Sequence, residues 1–193
     1  MLLRSTFLLG ILALASLSVN AQYGPNGPKI YPAAMGSDYN PLAWRGDDAK
    51  FALDTLHSSY CVAQISKTVA AKTSDKAVQN LAFTHAYDQE KIFKKIQGMA
   101  KTLNVRLPSK NELEDCPGAA RLRELTGEEL NRDYVAFISK NSARDAKRFE
   151  AETQMRRGPG NWSLWSFAEK TLPVVREDAS SVKSLEKSFP PAK

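Results

Sequence analysis

Trp162-Ser163-Leu164-Trp165-Ser166-Phe167-Ala168-Glu169-Lys170-Thr171-Leu172-Pro173-Val174-Val175-Arg176-Glu177-Asp178-Ala179-Ser180-Ser181-Val182 sets the fold class. Trp162, Trp165, Ala168, Leu172, Val175, Ala179 and Val182 recur at steps of three and four, the period of one helix face. The stretch predicts a long amphipathic helix, capped by Asn161 and stopped at Pro190-Pro191. Pro173 inside it removes a backbone donor and crowds the carbonyl of Glu169, which predicts a kink.

The same period recurs upstream. Phe51, Leu56, Ala63 and Ala70, with Ala52, Ser59 and Ser66 beside them, mark a first helix whose positive end faces Asp47 and Asp48. Lys72-Thr73-Ser74-Asp75 offers a turn and a cap. A second stripe follows: Val78, Leu81, Ala82, His85, Gln89, Ile92, Ile96, Met99 and Leu103, closed by Pro108. Ser109-Lys110-Asn111-Glu112 is a capping-box pattern opening one short helix, which Cys116-Pro117-Gly118 breaks. Thr126-Gly127-Glu128-Glu129 is a second capping box, opening a third long helix with Leu130, Tyr134, Phe137, Ile138 and Phe149; Arg156-Arg157-Gly158-Pro159-Gly160 ends it. No period-two strand is present. Four long amphipathic helices with short connections, and one longer crossover containing a short helix between the second and third, predict an all-α four-helix bundle.

Upstream of the bundle the punctuation changes. Met1-Leu2-Leu3-Arg4, an apolar or small run from Phe7 to Val19, and Val19-Asn20-Ala21 form the three parts of a secretory signal, with cleavage predicted after Ala21. Gly and Pro recur every few residues from Gln22 onward, so residues 22–46 read as an irregular arm carrying Tyr23, Tyr31, Tyr39 and Trp44. The resulting domain map is signal 1–21, arm 22–46, bundle 47–188 and tail 189–193. It places the protein in a bacterial periplasm or outside the cell, with possible outer-membrane association and no membrane span once the signal is removed.

The 193 residues are 42% hydrophobic and 25% charged, with formal net charge +6. This composition excludes disorder and, with two cysteines, a disulfide-built miniature fold or a four-cysteine zinc site. Basic and acidic residues interleave, as in Arg144-Asp145-Ala146-Lys147-Arg148, so the charge points to anionic envelope material or an envelope protein rather than nucleic acid. Cys61 and Cys116, an even pair in an exported chain, predict one disulfide.

Candidate chemistry is sparse. Asp54 and His57 stand one helical turn apart, the spacing of carboxylate–histidine metal sites, and are the only metal candidates. His85, on the buried face of the second helix, reads as a hydrogen-bonded core histidine. Ser58, Ser59 and Ser66 lack the G-x-S-x-G turn that exposes a nucleophile, C-x-x-C is absent, and phosphate-loop and dinucleotide-loop patterns are missing. No catalytic residue and no cofactor are expected.

Several fragments, in this order and spacing, carry a family resemblance: Asp48 to Phe51; Val105-Arg106-Leu107-Pro108; Leu125-Thr126-Gly127-Glu128-Glu129-Leu130-Asn131-Arg132-Asp133-Tyr134; Arg148-Phe149-Glu150; and Thr171-Leu172-Pro173-Val174-Val175-Arg176-Glu177. Over about Asp48 to Leu185 the chain resembles the bacterial domain-of-unknown-function family 4142. The resemblance implies an exported, ferritin-like helical bundle. Three positions depart from that family's pattern. Gln89, Ser142 and Asp178 stand where it usually carries histidine, which implies a centre stripped of imidazole. With His85 one turn from Gln89, these residues are expected to form a hydrogen-bonded polar patch, Asp178 being exposed or paired. The expected function is a non-catalytic envelope protein that acts by binding. Two alternatives are a ferritin-like metal-binding protein and an inhibitor or immunity protein for a secreted cell-wall enzyme.

Overall fold

The computed structural model describes residues 46–102, 107–155 and 162–190. The signal and its cleavage point at Ala21, most of the arm, Leu103, Val105-Arg106, the Arg156–Gly160 stop, the Asn161 cap and the last three residues lie outside them. The described chain is all-helical: α1 (Gly46–Lys72), α2 (Lys76–Thr102), α3 (Lys110–Glu114), α4 (Ala119–Glu124), α5 (Gly127–Gln154) and α6 (Trp162–Glu186).

Local chemistry accounts for the boundaries. Asp75 accepts the Val78 amide at 3.0 Å, and Thr73 accepts the Asp75 amide at 3.1 Å, so the turn after α1 caps α2. Ser109 and Glu112 form the expected reciprocal capping box on α3. Thr126 does not follow suit: it precedes α5 without a side-chain cap. Gly127 enters the left-handed region at φ +57°, and Glu129 is drawn to Arg121 at 3.1 Å instead of reaching back. The crossover holds two short helices where the sequence suggested one. Gly118, at φ +82°, supplies a turn that L side chains resist and restarts the chain as α4.

The long helices pack in four adjacent pairs: α1 with α2 and α5, and α6 with α5 and α2. Ser58 meets Asp145, Ser66 meets Tyr134, and Thr73 meets Asn131, so residue numbers rise on α1 as they fall on α5. The two are antiparallel. The tight turn makes α2 antiparallel to α1, so α2 and α5 run in the same direction, and the crossover must travel back along the bundle. It does so beside α1. Cys61 and Cys116 form a disulfide with Cα atoms 5.4 Å apart, and Lys72 donates to the Arg123 carbonyl at 2.6 Å further along.

Two apolar clusters fill the interior. One gathers Phe51, Phe149 and Phe167 with Ile92, Ile96 and Leu164; its rings pack with centroids 5.2 to 6.5 Å apart. The other gathers Val62, Val69, Leu81, Leu130, Tyr134, Ile138 and Val182. Trp162 departs from expectation: it is 55% exposed rather than buried. From Trp162 to Val175 the sequence stripe advances in steps averaging less than 3.6 residues, so it drifts about 140° around the helix. The true buried face runs through Leu164, Phe167, Val175, Asp178 and Val182. Helix α6 continues through Pro173.

The disulfide closes a loop across a sequence separation of 55 residues. In the chain-entropy account this is worth about 4 kcal/mol. The double variant Cys61→Ser/Cys116→Ser is expected to keep its helical circular dichroism while losing roughly that much unfolding free energy in a urea titration.

Candidate functional site

Between the two apolar clusters, every long helix turns polar side chains inward at one level. Helix α1 contributes Ser58 and Ser59, α2 His85 and Gln89, α5 Ser142 and Asp145, and α6 Asp178; all are 6% exposed or less. Polar groups at such depth persist only when partnered or neutralised.

Asp178 is the hub on the α2–α6 side. The Gln89 amide donates to its Oδ2 at 3.4 Å, and His85 Nδ1 lies 3.5 Å from its Oδ1. Asp178 is therefore buried and paired. Burial, then the neighbouring charge of Asp88, pushes its carboxyl up to about 7, with the Gln89 amide opposing. His85 is buried as expected, but neither ring nitrogen makes a hydrogen bond, because the Asp178 contact is too long and misaligned. Desolvation lowers its imidazole to about 4, so it is neutral at pH 7. Ser142 shares the layer, yet no hydrogen bond among the described residues ties it to Gln89 or Asp178.

Asp145 anchors the α1–α5 side. Ser58 Oγ donates to both carboxylate oxygens, at 3.0 and 3.1 Å, and Arg148 Nη1 lies 3.0 Å from Oδ1. Burial raises this carboxyl, while Arg148 and the Ser58 hydroxyl pull it down. Above the layer, the Tyr134 hydroxyl donates to Ser66 at 2.8 Å, and burial lifts its ionisation far out of the physiological range. Below it, buried Glu152 faces the carboxylates of Asp48 and Asp47 at the start of α1. Burial and the charges of Asp48 and Asp47 push Glu152 up to about 7.

Sequence reading missed Asp145 and Glu152. The signal was present: Ile138, Ser142, Asp145, Phe149 and Glu152 alternate steps of four and three, so both acids continue the buried stripe of α5. Asp54 and His57 were expected as metal candidates. Asp54 pairs with Lys50, and His57 Nε2 donates to the Asp115 carbonyl at 2.9 Å, beside the disulfide. Among the described residues no three His, Cys, Asp or Glu side chains are grouped to hold a metal ion. What the layer can do chemically is hold protons and fix helix register.

A family model described as a domain of unknown function, DUF4142, matches residues 34–185. The chain belongs to this family. No curated protein and no solved structure matches the chain. Gln89, Ser142 and Asp178, where the resemblance implies a centre stripped of imidazole, all fall in the polar layer.

Two outcomes test the layer. Ser58→Ala leaves the Asp145 carboxylate without its hydroxyl donor and is expected to cost about 2 kcal/mol of stability by urea denaturation. For Asp178, the folded value near 7 stands well above the ordinary carboxylate value of 3.8. The folded state therefore binds the extra proton, and stability present below about 4 is lost as pH rises through 7. His85, with its value lowered to about 4, works in the opposite sense only up to its ordinary value of 6.5. Above pH 6.5 the carboxyls act alone. Between pH 6.5 and 8, Asp178→Asn is expected to flatten the decline in stability of the wild type, a single group contributing at most about 1.4 kcal/mol per pH unit. An unchanged slope assigns the titration elsewhere.

Proposed function

We propose that this chain is an exported, non-catalytic protein of the cell envelope that acts by binding an envelope protein or anionic envelope material, on a ferritin-like four-helix bundle. The observation that carries the reading is the burial of the polar layer. Its side chains come from all four long helices and are 6% exposed or less, with Asp145 paired to Ser58 and Asp178 to Gln89. Such a layer holds a scaffold together. The resemblance supports the same view, since Gln89 and Ser142 replace strong ligands by weak ones.

The ferritin-like topology is supported by α2 and α5 running in the same direction, with the crossover returning along α1. Export is supported by the three-part N-terminal segment and by a disulfide suited to an oxidising compartment. No helix among the described residues is long and apolar enough to cross a membrane. A net charge of +6 favours anionic partners.

The test is expression of the full chain followed by cell fractionation. Exported protein is expected to begin at Gln22 by mass spectrometry and to sediment with the isolated envelope. Gln89→Ala/Ser142→Ala/Asp178→Asn is expected to sediment equally. A folded triple variant that no longer sediments would move function into the layer and overturn the reading.

A further inference from the structure

The outer face of α2 and α6 combines apolar and basic side chains. Between the two helices runs a groove of about 680 Å³, within the range of small-ligand sites. Ile92 and Phe167, both buried, and half-buried Met99 line it, with exposed Trp162 and Val174 also on its walls. It extends over the stretch of α2 from Asp88 to Met99, roughly 16 Å at helical rise.

Three lysines line the same groove: Lys91 and Lys95 from α2, Lys170 from α6. Lys67 and Lys94, on the neighbouring surface, are matched to Glu90 at 2.7 Å each. Among the described residues Lys91, Lys95 and Lys170 form no ion pair; Lys91 lies 4.2 Å from the centroid of the exposed Tyr87 ring. Among the described residues Asp88, which attracts Lys91, is the only carboxylate on the groove walls. The groove thus joins an apolar lining to three positive charges set against one negative.

We propose that this groove binds a single-chain anionic amphiphile, its tail along Ile92, Met99 and Phe167 and its charged head at Lys91, Lys95 and Lys170. The assignment rests on the envelope-binding role proposed above and names the surface and the ligand class. Charge complementarity selects the anionic head. The walls select the tail: both are helices whose backbone groups are consumed internally, so an extended peptide finds no main-chain partners there. An acyl chain needs none.

Calorimetry with dodecyl phosphate below its micelle concentration, with dodecyl maltoside, and with inorganic phosphate tests the proposal. Expected are binding of dodecyl phosphate at least about tenfold tighter than of dodecyl maltoside, and a loss of about tenfold or more in Lys91→Glu/Lys95→Glu/Lys170→Glu. Val174→Glu, which places charge on the groove wall, is expected to weaken binding while leaving the lysines intact. All three lysines are exposed, so circular dichroism should report an unchanged fold. Equal affinity for the maltoside, tight binding of phosphate alone, or an unaffected lysine variant overturns the proposal. So does binding to phosphatidylglycerol vesicles but not to the monomeric amphiphile, or to an acidic helical peptide in its place. Self-association that shields Trp162 from a fluorescence quencher overturns it in favour of a second copy. If the wild type sediments with the envelope yet binds no amphiphile, only the groove assignment falls; if it does not sediment, the envelope role falls.

Discussion

Two carboxyl groups are carried into the middle of an apolar bundle, and much of the rest of the structure answers that burden. A carboxylate removed from water is costly unless it is paired or protonated. Asp145 meets the first condition through Ser58 and Arg148, and Asp178 approaches the second, with a value near 7. Apolar seams tolerate sliding by a repeat, because one leucine or valine contact resembles the next. A hydroxyl–carboxylate pair does not, since a shift of one turn leaves both partners buried and unmatched. Ser58–Asp145, Ser66–Tyr134 and Thr73–Asn131 therefore fix one register of α1 on α5.

The direction of the helices imposes a second demand. With α2 and α5 running the same way, the connecting chain must cover the length of the bundle rather than turn tightly. That chain is built from two short helices, and neither is long enough to be stable alone. Leu113, Ala119 and Leu122 are buried, and the Cys61–Cys116 bond secures the segment at mid-height. His57 reinforces the same seam through the Asp115 carbonyl, which explains its position without a metal.

Interior and surface consequently carry different charge logic. Inside, titratable groups are few, each near a specific neighbour, and shifted toward neutrality. Outside, several ions pair along or between helices, as Arg176 does with Glu150 at 2.9 Å. In the α2–α6 groove, aromatic and apolar surface lies beside three lysines that form no ion pair among the described residues. Exposed Tyr87, whose ring centroid lies 4.2 Å from Lys91 Nζ, borders it.

Periodicity, caps and proline positions in the chain by itself determined that it is all-helical, where its long helices lie, and that Cys61 and Cys116 can bridge. They also placed His85 and Gln89 on a buried face, because a helix face is a local property read from neighbours three and four residues away; Ser142 was singled out by the family resemblance. What lies across from that face is not local. The juxtaposition of Asp178 with His85 and Gln89, of Asp145 with Ser58, and of Glu152 with Asp48 joins residues distant in sequence, and only the tertiary structure decided it. Trp162 is another matter: the stripe it opens drifts around the helix, which leaves its ring 55% exposed. Thr126 differs again: its capping-box spacing is a local signal, overridden when Glu129 finds Arg121 across a turn. Helical period is written into each segment by backbone geometry, whereas partner choice depends on how segments assemble.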